Sequence, residues 1–266
     1  MTLLDIFFYS FVFIFGSIMG SFLNVLIIRI HLDMPWWIGR SHCMSCNKTL
    51  SPIELIPILS FILQKGMCRH CGSKISIQYP IVELLCGIVA VFSVLLFGYS
   101  VYALLIFFIL WFILGDFISD LLYMELPELF NFVLMILGVI YLVFSGSFDF
   151  VNMLIGVVFG FSFFAIQYLL TKGKGIGEGD LRLGVIIGIY FGWPHALYSI
   201  MFSYMLATVV LLPLLITRKL STKTAVPLGV FLLPVLAFGI VFPHELKDIF
   251  DPISVMFEEL LYLLTF

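Results

Sequence analysis

The sequence predicts an all-α polytopic membrane protein with about eight transmembrane helices and a small cytoplasmic domain between the first and second helices. Three observations predict this class. The chain has 266 residues, of which 62% are hydrophobic and only 11% are charged, whereas a soluble domain carries about a quarter charged residues. Its apolar residues form long runs separated by short polar loops. Its positive charges are concentrated in three of those loops.

The apolar runs mark the predicted transmembrane helices. They cover residues 2–30, 80–98, 101–119, 128–146, 150–171, 181–193, 195–216 and 225–243. The first run is too long for the apolar part of a signal peptide and lacks a basic leader, so it is expected to remain as a helix. The short span at 181–193 favours a position shielded by neighbouring helices.

The chain divides by composition into four predicted regions. Residues 1–30 form the first helix, and the polar segment 31–79 forms the cytoplasmic domain. Residues 80–243 form the main bundle. The tail at 244–266 has apolar residues at helical spacing. It is predicted to be an interfacial amphipathic helix, with a weak ninth span as the alternative.

The placement of lysine and arginine predicts the orientation in the membrane. Twelve of the 13 lie in three groups, at 29–74, 172–182 and 218–223. With eight spans these loops share one side, which is the cytoplasmic side by the positive-inside rule. The same count puts Asp120, after span three, and Asp180, before span six, together on the cytoplasmic face.

The polar segment carries two C-x-x-C pairs, Cys43 with Cys46 and Cys68 with Cys71. Two such knuckles supply four thiolates for a tetrahedral Zn²⁺ site, which makes a zinc-ribbon-like domain the expectation. Four thiolates leave no open position, so the metal would be structural. Two disulfides are the alternative, but a cytoplasmic location argues against them. The remaining thiol, Cys86, lies in an apolar run and is expected to be inert.

Two histidines, His42 and His70, flank the knuckles. Either could replace a cysteine as a metal ligand, but four thiolates already suffice for a closed site. Both are therefore expected to be ordinary loop residues.

Two aspartates stand where apolar runs meet basic loops. An acid at a membrane boundary is costly unless it is hydrated, paired or functional. Asp180 ends the glycine-rich run at 175–180, which would let an extended peptide approach closely. Asp120 is followed by six residues and then Pro127. Two carboxylates that meet across a helix bundle are the catalytic groups that an aspartyl protease requires.

Each of these acids has a competing interpretation. Asp116 lies four residues before Asp120, hence on the same helix face, and either could point into the bundle. A glycine-rich loop with a solvated acid is the alternative for Asp180. A nucleotide-binding loop does not fit there, because no strand precedes it.

Taken in order, these pieces resemble the type IV prepilin peptidases, membrane aspartyl proteases that also N-methylate their products. The resemblance covers about residues 15 to 195. Its motifs are GSIMGSFLNV at 16–25, the two C-x-x-C knuckles, ELIP at 54–57, SIQYPIVE at 76–83, the Asp120 to Pro127 spacing, and Gly-Glu-Gly-Asp at 177–180.

The resemblance implies the chemistry, the substrate and the site residues. It assigns catalysis to Asp120 and Asp180, and it prefers Asp120 over Asp116. The substrate would be a pilin or pseudopilin precursor with a basic leader, cut at the cytoplasmic face of the cell membrane. The new amine would be methylated from S-adenosylmethionine. Residues implied in substrate binding or methyl transfer are Asn24, Glu54, Lys65, Tyr79, Glu83, Gly177, Gly179 and Arg182.

Several positions depart from the pattern of that family. Arg182 stands where a lysine is usual, and Glu128 replaces an aspartate or asparagine. Glu54 replaces an aspartate, and Gln78 replaces an arginine. Lys65 and Met67 also differ, standing where arginine and lysine are usual. None of these changes touches the acid pair, but several fall in the region associated with methyl transfer.

Two other classes of function compete with the peptidase. A proton-coupled transporter would use Asp116, Asp120 and Asp180 as a relay, but its usual internal repeats are not visible in the sequence. A membrane scaffold that docks a partner through its cysteine domain would leave the acid pair without a role. The lipid bilayer and a pilin precursor are the expected partners, and a nucleic acid is not.

Overall fold

The computed structural model describes residues 2–218, 226–243 and 245, which are mostly helical outside the polar segment between the first two long helices. The helices are α1 Leu3–His31, a 3₁₀ turn Pro52–Leu55, α2 Leu59–Leu63, α3 Gln78–Phe97, α4 Val101–Tyr123, α5 Glu128–Phe144, α6 Phe150–Thr171, α7 Glu178–Phe191, α8 His195–Ile216 and α9 Gly229–Val241. The only β pairing in this part of the chain consists of two isolated bridges. The all-α prediction is confirmed.

Five of these helices, α1, α3, α4, α6 and α8, are long and apolar enough to cross a membrane. The protein is therefore a multi-pass membrane protein. Each of the eight predicted spans coincides with a helix, but α5, α7 and α9 are shorter, so the count of eight crossings stays a prediction. The amphipathic tail, apart from Glu245, lies outside the described residues, as does the basic loop at 219–225.

Helix α4 continues four residues beyond the predicted end, to Tyr123. The sequence around Ser119 and Asp120 is polar enough to suggest a boundary, but the backbone keeps its helical hydrogen bonds until Met124. Asp116 and Asp120 are therefore both inside a regular helix, one turn apart. The turn that follows is closed by Pro127, after which α5 begins.

Packing divides the chain into two units, at about residues 1–111 and 112–266, with the division inside α4. In the first unit α1 and α3 pack closely because small residues line their contact. A Cβ atom added at Gly16 would lie 2.5 Å from the carbonyl oxygen of Cys86. One added at Gly20 would lie 2.7 Å from Cα of Glu83. Small residues four apart are the usual device for close approach of membrane helices.

In the second unit α6 and α7 pack through glycines on both helices. Gly156 and Gly160 of α6 face Gly184 and Gly188 of α7, and a Cβ atom at Gly160 would lie only 2.1 Å from the Gly184 carbonyl oxygen. This contact explains how the short α7, with three charged residues in its first turns, is accommodated. It is covered by protein, as the sequence predicts for the span at 181–193, and its residues from Leu183 onward are mostly buried.

Helix α9 is mostly buried, with Leu232, Leu233 and Ile240 almost completely inaccessible, and its exposed residues are Pro234 and Phe238, one turn apart. A helix that is apolar all round belongs in the interior of a bundle. The hydroxyl of Tyr141 on α5 donates to the Ile240 carbonyl oxygen at 3.4 Å. At the other end of α9, the Val230 N–H lies beside Asp120 of α4.

We expect the substitution Gly160→Val to destabilise the second unit, because no side chain fits between α6 and α7 without separating them. Overpacking of this kind costs at least about 1–3 kcal/mol. Thermal unfolding in detergent micelles measures the loss. The matched control is Val158→Leu, an exposed position on the same helix, which should change stability by less than about 0.5 kcal/mol. Equal stability of Gly160→Val and the native protein would contradict the described helix contact.

Candidate active site and metal-binding cluster

Asp120 is held by the N-terminal end of α9. Its carboxylate is 5% exposed, and its Oδ2 accepts a hydrogen bond from the Val230 backbone N–H at 2.9 Å. The first N–H groups of a helix lack intrahelical partners and favour a negative charge. A Cβ atom at Gly229 would lie 2.6 Å from the same oxygen. Gly229 therefore gives the carboxylate access to the helix end.

Asp180 lies in the first turn of α7, where it is half-buried. Its Oδ2 accepts a hydrogen bond from the Gly177 N–H at 3.0 Å, and the Asp180 N–H donates back to the Gly177 carbonyl oxygen at 3.2 Å. The first bond satisfies the free N–H of the residue that precedes the helix, and the second is the backbone bond of the first turn, so together they fix the start of α7. The side chain is thereby positioned by the turn itself.

The glycines before Asp180 have different surroundings. A Cβ atom at Gly179 would lie 2.9 Å from the Leu126 side chain, so this glycine is needed for packing against the segment before Pro127. A Cβ atom at Gly177 would have no atom closer than 3.7 Å. Of the two, Gly177 is the glycine that leaves space beside the acid.

The two acids belong to the same packed unit and are close enough to interact electrostatically. Each has its Oδ2 atom held by a backbone N–H from the start of a helix. Two carboxylates in such an arrangement can share one proton, so that one activates water while the other donates a hydrogen bond. The structure thus brings together the two residues that the sequence selected.

Asp116 lies one turn deeper in α4 and is fully buried. Neither of its carboxylate oxygens has a hydrogen-bond partner among the described residues. An unpaired buried charge is too costly, so this carboxyl group is expected to be neutral. The charge that acts on Asp116 is that of Asp120 on the same helix, whereas the charge that acts on Asp120 is that of Asp180 on α7. This favours Asp120 as the member of the acid pair.

Arg182 forms an ion pair with Glu128, at 2.5 Å between Nη2 and Oε1. Two of the positions that depart from the family pattern are therefore partners, joining the first turn of α7 to the first residue of α5. Sequence reasoning considered them separately. They are 54 residues apart, and no local pattern links them.

The two cysteine knuckles have the same backbone geometry. In each, the residue four positions after the first cysteine donates its N–H to that cysteine's carbonyl oxygen. The distances are 2.8 Å for Asn47 to Cys43 and 2.9 Å for Gly72 to Cys68. Both donors have a positive φ, of 56° and 71°, a conformation that asparagine and glycine tolerate.

All five cysteines are free thiols in this structure. The sulfur atoms of Cys43, Cys46, Cys68 and Cys71 lie within 4.8 Å of one another, with 3.9 Å between those of Cys43 and Cys71. Tetrahedral Zn–S bonds of about 2.3 Å place sulfurs about 3.8 Å apart. The four thiols can therefore hold a metal ion with little rearrangement.

Electrostatics inside the cluster favours a bound cation. The pKa of Cys43 is lowered to about 6, because the backbone N–H groups of Cys46 and Ser45 point at its sulfur. At Cys46 the Lys48 N–H favours the thiolate, but desolvation and the neighbouring thiols Cys43 and Cys71 outweigh it and raise its pKa to about 11. One thiolate forms easily, and further ones need a positive charge nearby.

Glu54 connects the second knuckle to the interior of the domain. Its Oε2 accepts hydrogen bonds from the Ser51 N–H at 2.9 Å and the Ser51 hydroxyl at 2.8 Å. These bonds hold the pKa of Glu54 below its usual value. Its buried Oε1 has no hydrogen-bond partner and lies 3.5 Å from Nε2 of His70. His70 thus has a contact that sequence reasoning did not assign.

A cavity of about 360 Å³ lies beside Glu54 in the first unit. It is bounded by the C-terminal part of α1, the cysteine knuckles, α2 and the start of α3. Its lining includes Ser21, Arg29, Glu54, Phe61, Tyr79 and Glu83. A space of this size is in the usual range for small-molecule sites, about 300–1,000 Å³.

Three residues of the predicted methyl-transfer set line this cavity, namely Glu54, Tyr79 and Glu83, and two do not. Asn24 is buried and links α1 to α3, since its Nδ2 lies 3.3 Å from the Tyr79 carbonyl oxygen. Lys65 is an exposed residue with a positive φ of 52°. Of the predicted set, three residues are therefore in the cavity wall, Asn24 links the two helices beside it, and Lys65 does neither.

Ile58, which lies between the cavity-lining residues Leu55 and Ser60, has a backbone conformation that the sequence did not reveal. Its φ of 62° and ψ of −52° are rarely adopted by a β-branched residue. The Leu59 N–H donates to the Pro57 carbonyl oxygen at 2.5 Å, which closes a γ-turn. Such a conformation costs about 1–3 kcal/mol and persists only where the surroundings impose it.

A second cavity, of about 190 Å³, lies in the second unit. It is lined by Asp149, Gly192 and His195, at the C-terminal end of α7. Asp180 is in the first turn of that helix, so this cavity is remote from the acid pair.

Comparison with known proteins gives two family matches. Residues 14–97 match the bacterial peptidase A24 N-terminal domain, and residues 105–212 match the type IV leader peptidase family. The prepilin leader peptidase/N-methyltransferase of Bacillus subtilis (strain 168) is 32% identical over 242 residues, which cover 90% of this chain and 94% of that protein. The protein of that name from Aeromonas hydrophila is 29% identical over 255 residues, covering 85% and 87%. No solved structure matches this chain.

Proposed function

This chain belongs to the type IV leader peptidase family, and we propose that it cleaves prepilin or pseudopilin leaders with Asp120 and Asp180 and N-methylates the product. The observation that carries the peptidase assignment is that a backbone N–H at the start of a helix holds each acid, and that these helices meet beside Asp120. A Cβ atom at Gly229 would lie 2.6 Å from Oδ2 of Asp120 and 3.4 Å from the Leu183 side chain of α7. A proton relay for transport has no comparable support, since the relatives are named as peptidases.

Cleavage follows from the way the two carboxylates are held. The backbone N–H groups of Val230 and Gly177 engage the Oδ2 atoms, which leaves the Oδ1 atoms available for the reaction. One carboxylate removes a proton from water as it attacks the scissile carbonyl, and the protonated partner donates a hydrogen bond to the developing oxyanion. The first carboxylate then gives the proton that it took from water to the leaving amine as the C–N bond breaks. The space beside Gly177 admits the extended leader.

The location of this chemistry is the cytoplasmic face of the cell membrane. The basic loops flank Asp180 and connect α1 to α3, and positive loops stay in the cytoplasm. A substrate with a basic leader and an apolar helix would be oriented in the same way, with its leader beside the acid pair.

The metal of the cysteine cluster is Zn²⁺ in a structural role. Four thiolates form the preferred closed zinc site, and the spacing of the sulfurs supports it. When bound, zinc supplies the positive charge that stabilises the thiolates. It would fix both knuckles and thereby the wall of the 360 Å³ cavity that Cys43 and Cys68 help to form.

The same cavity fits S-adenosylmethionine, the donor implied for methylation. The buried Oε1 of Glu54 accepts no hydrogen bond, although Nε2 of His70 lies 3.5 Å away. The charge of this carboxylate is opposite to that of the donor's ammonium and sulfonium groups. Phe61 and Tyr79 provide an aromatic lining on which an adenine ring can stack. When bound, S-adenosylmethionine supplies an electrophilic methyl group. Glu54 would hold its positive charge, and the cavity would exclude water from it.

We expect Asp120→Asn and Asp180→Asn each to abolish cleavage of a co-expressed prepilin, because one carboxylate cannot replace the other. The loss should be at least about 10³-fold. Mature and precursor pilin are separated by gel electrophoresis and identified by mass. The matched control is Glu178→Gln, an exposed acid in the same turn as Asp180, which should cleave normally. Full cleavage by either aspartate variant would refute the pair.

Metal analysis of the protein purified under reducing conditions should find about one zinc per chain. Cys46→Ser should lower this content and the unfolding temperature, since three thiolates close the site less well. The control Cys86→Ala removes a buried thiol that is outside the cluster, and its zinc content should be unchanged. Absence of zinc from the native protein would refute the metal assignment.

Glu54→Gln should impair methylation and spare cleavage, because the amide preserves the bonds to Ser51 but removes the charge. Loss of a hydrogen bond to a charged group, about 1.5–3 kcal/mol, corresponds to roughly a 10- to 100-fold rise in KM for S-adenosylmethionine. The mass of the mature pilin's N-terminal residue reports methylation. Lys48→Gln, at an exposed position in the same domain that does not line the cavity, is the control. Unchanged methylation by Glu54→Gln would remove this residue from the donor site.

A further inference from the structure

The strained turn at Ile58 lies between two short segments of the polar domain that both contribute to the cavity wall. Glu54 lies on the 3₁₀ turn just before it, and α2, which carries Phe61, begins just after it. Both side chains line the cavity. The conformation of one residue therefore sets the angle between the acidic and the aromatic parts of the wall.

The turn is held from the membrane helices by Glu83. Oε2 of this residue on α3 accepts a hydrogen bond from the Ile58 N–H at 2.6 Å. The residues are 25 positions apart, and the carboxylate is 6% exposed. The Ser21 hydroxyl of α1 interacts with the same carboxylate. One buried acid thus joins α1, α3 and the Ile58 turn.

We propose that Glu83 is a positioning residue for methyl transfer, which acts by holding the Ile58 turn and does not contact the methyl donor as a charge. This inference rests on the proposed donor site in the first unit. Its physical basis is that isoleucine at this φ and ψ needs an external partner, and the Ile58 N–H finds that partner only in Glu83 among the described hydrogen bonds. Without it the turn relaxes and Glu54 and Phe61 separate.

Two features distinguish positioning from direct contact. A hydrogen bond from a backbone N–H needs an acceptor oxygen but no charge, so Glu83→Gln keeps the function and Glu83→Ala loses it. In addition, glycine adopts positive φ without steric cost. The second substitution Ile58→Gly therefore lets the turn form without its anchor, and it should restore function to Glu83→Ala.

The experiment uses the full-length protein in detergent with a prepilin and S-adenosylmethionine. Initial rates of cleavage and methylation are measured in the same samples by mass spectrometry. Glu83→Ala should raise KM for S-adenosylmethionine by about tenfold or more with normal cleavage, and Glu83→Gln should stay within about threefold of the native value. Ile58→Gly combined with Glu83→Ala should bring the KM for S-adenosylmethionine most of the way back to the native value. The same Ile58→Gly change combined with Glu54→Gln should recover none, because Glu54 acts directly.

Hydrogen exchange of the peptide covering residues 51–64 provides a readout that is independent of methylation. Its protection should fall in Glu83→Ala and return in the double variant with Ile58→Gly. If the native protein did not methylate, the proposed donor site would fail, while the exchange result would still decide the role of Glu83. Equal loss in Glu83→Gln and Glu83→Ala, without rescue by Ile58→Gly, would overturn the inference.

Discussion

A carboxylate in an apolar interior needs hydrogen-bond donors from the protein, because water is scarce there. The candidate active site depends on this constraint. Asp120 obtains its donor from the Val230 N–H at the start of α9, and Asp180 obtains one from Gly177 at the start of α7. Helix beginnings carry N–H groups that no helical carbonyl can use. The bundle therefore has to bring two helix starts to one place, and the acid pair results from that arrangement.

Close packing of glycines makes this arrangement possible. Helix α7 is short and begins with charged residues, so it is poorly suited to contact lipid. The glycine contact with α6, through Gly160 and Gly184, covers it with protein. Gly229 has a different role, since it lets the Asp120 carboxylate reach the end of α9. In both cases the missing side chain allows backbone groups to approach each other or a carboxylate.

The first unit uses the same chemistry for another purpose. Glu83 accepts an N–H bond from a strained turn. Glu54 accepts two bonds from Ser51, while its second oxygen accepts no hydrogen bond and lies 3.5 Å from Nε2 of His70. Glu83 therefore has a hydrogen-bond partner that accounts for its burial, whereas Glu54 has an oxygen that can accept a hydrogen bond from a ligand. The family resemblance implies both residues in methyl transfer without distinguishing them. The hydrogen bonds indicate that Glu83 supports the site and that Glu54 contacts the ligand.

The sequence by itself determined the helices and the candidate chemistry, because hydropathy, C-x-x-C spacing and the Gly-Glu-Gly-Asp motif are local properties of the chain. It predicted an apolar segment at each of the helices α1 and α3 to α9, with ends that differ by a few residues. It also selected four cysteines and Asp120 with Asp180 as candidate site residues. Only the tertiary structure decided which distant groups form hydrogen bonds and ion pairs with the residues in and beside the candidate site. Val230 is 110 residues from Asp120 and Arg182 is 54 from Glu128. Such pairs are fixed by how helices pack, and no periodicity in a single sequence records them.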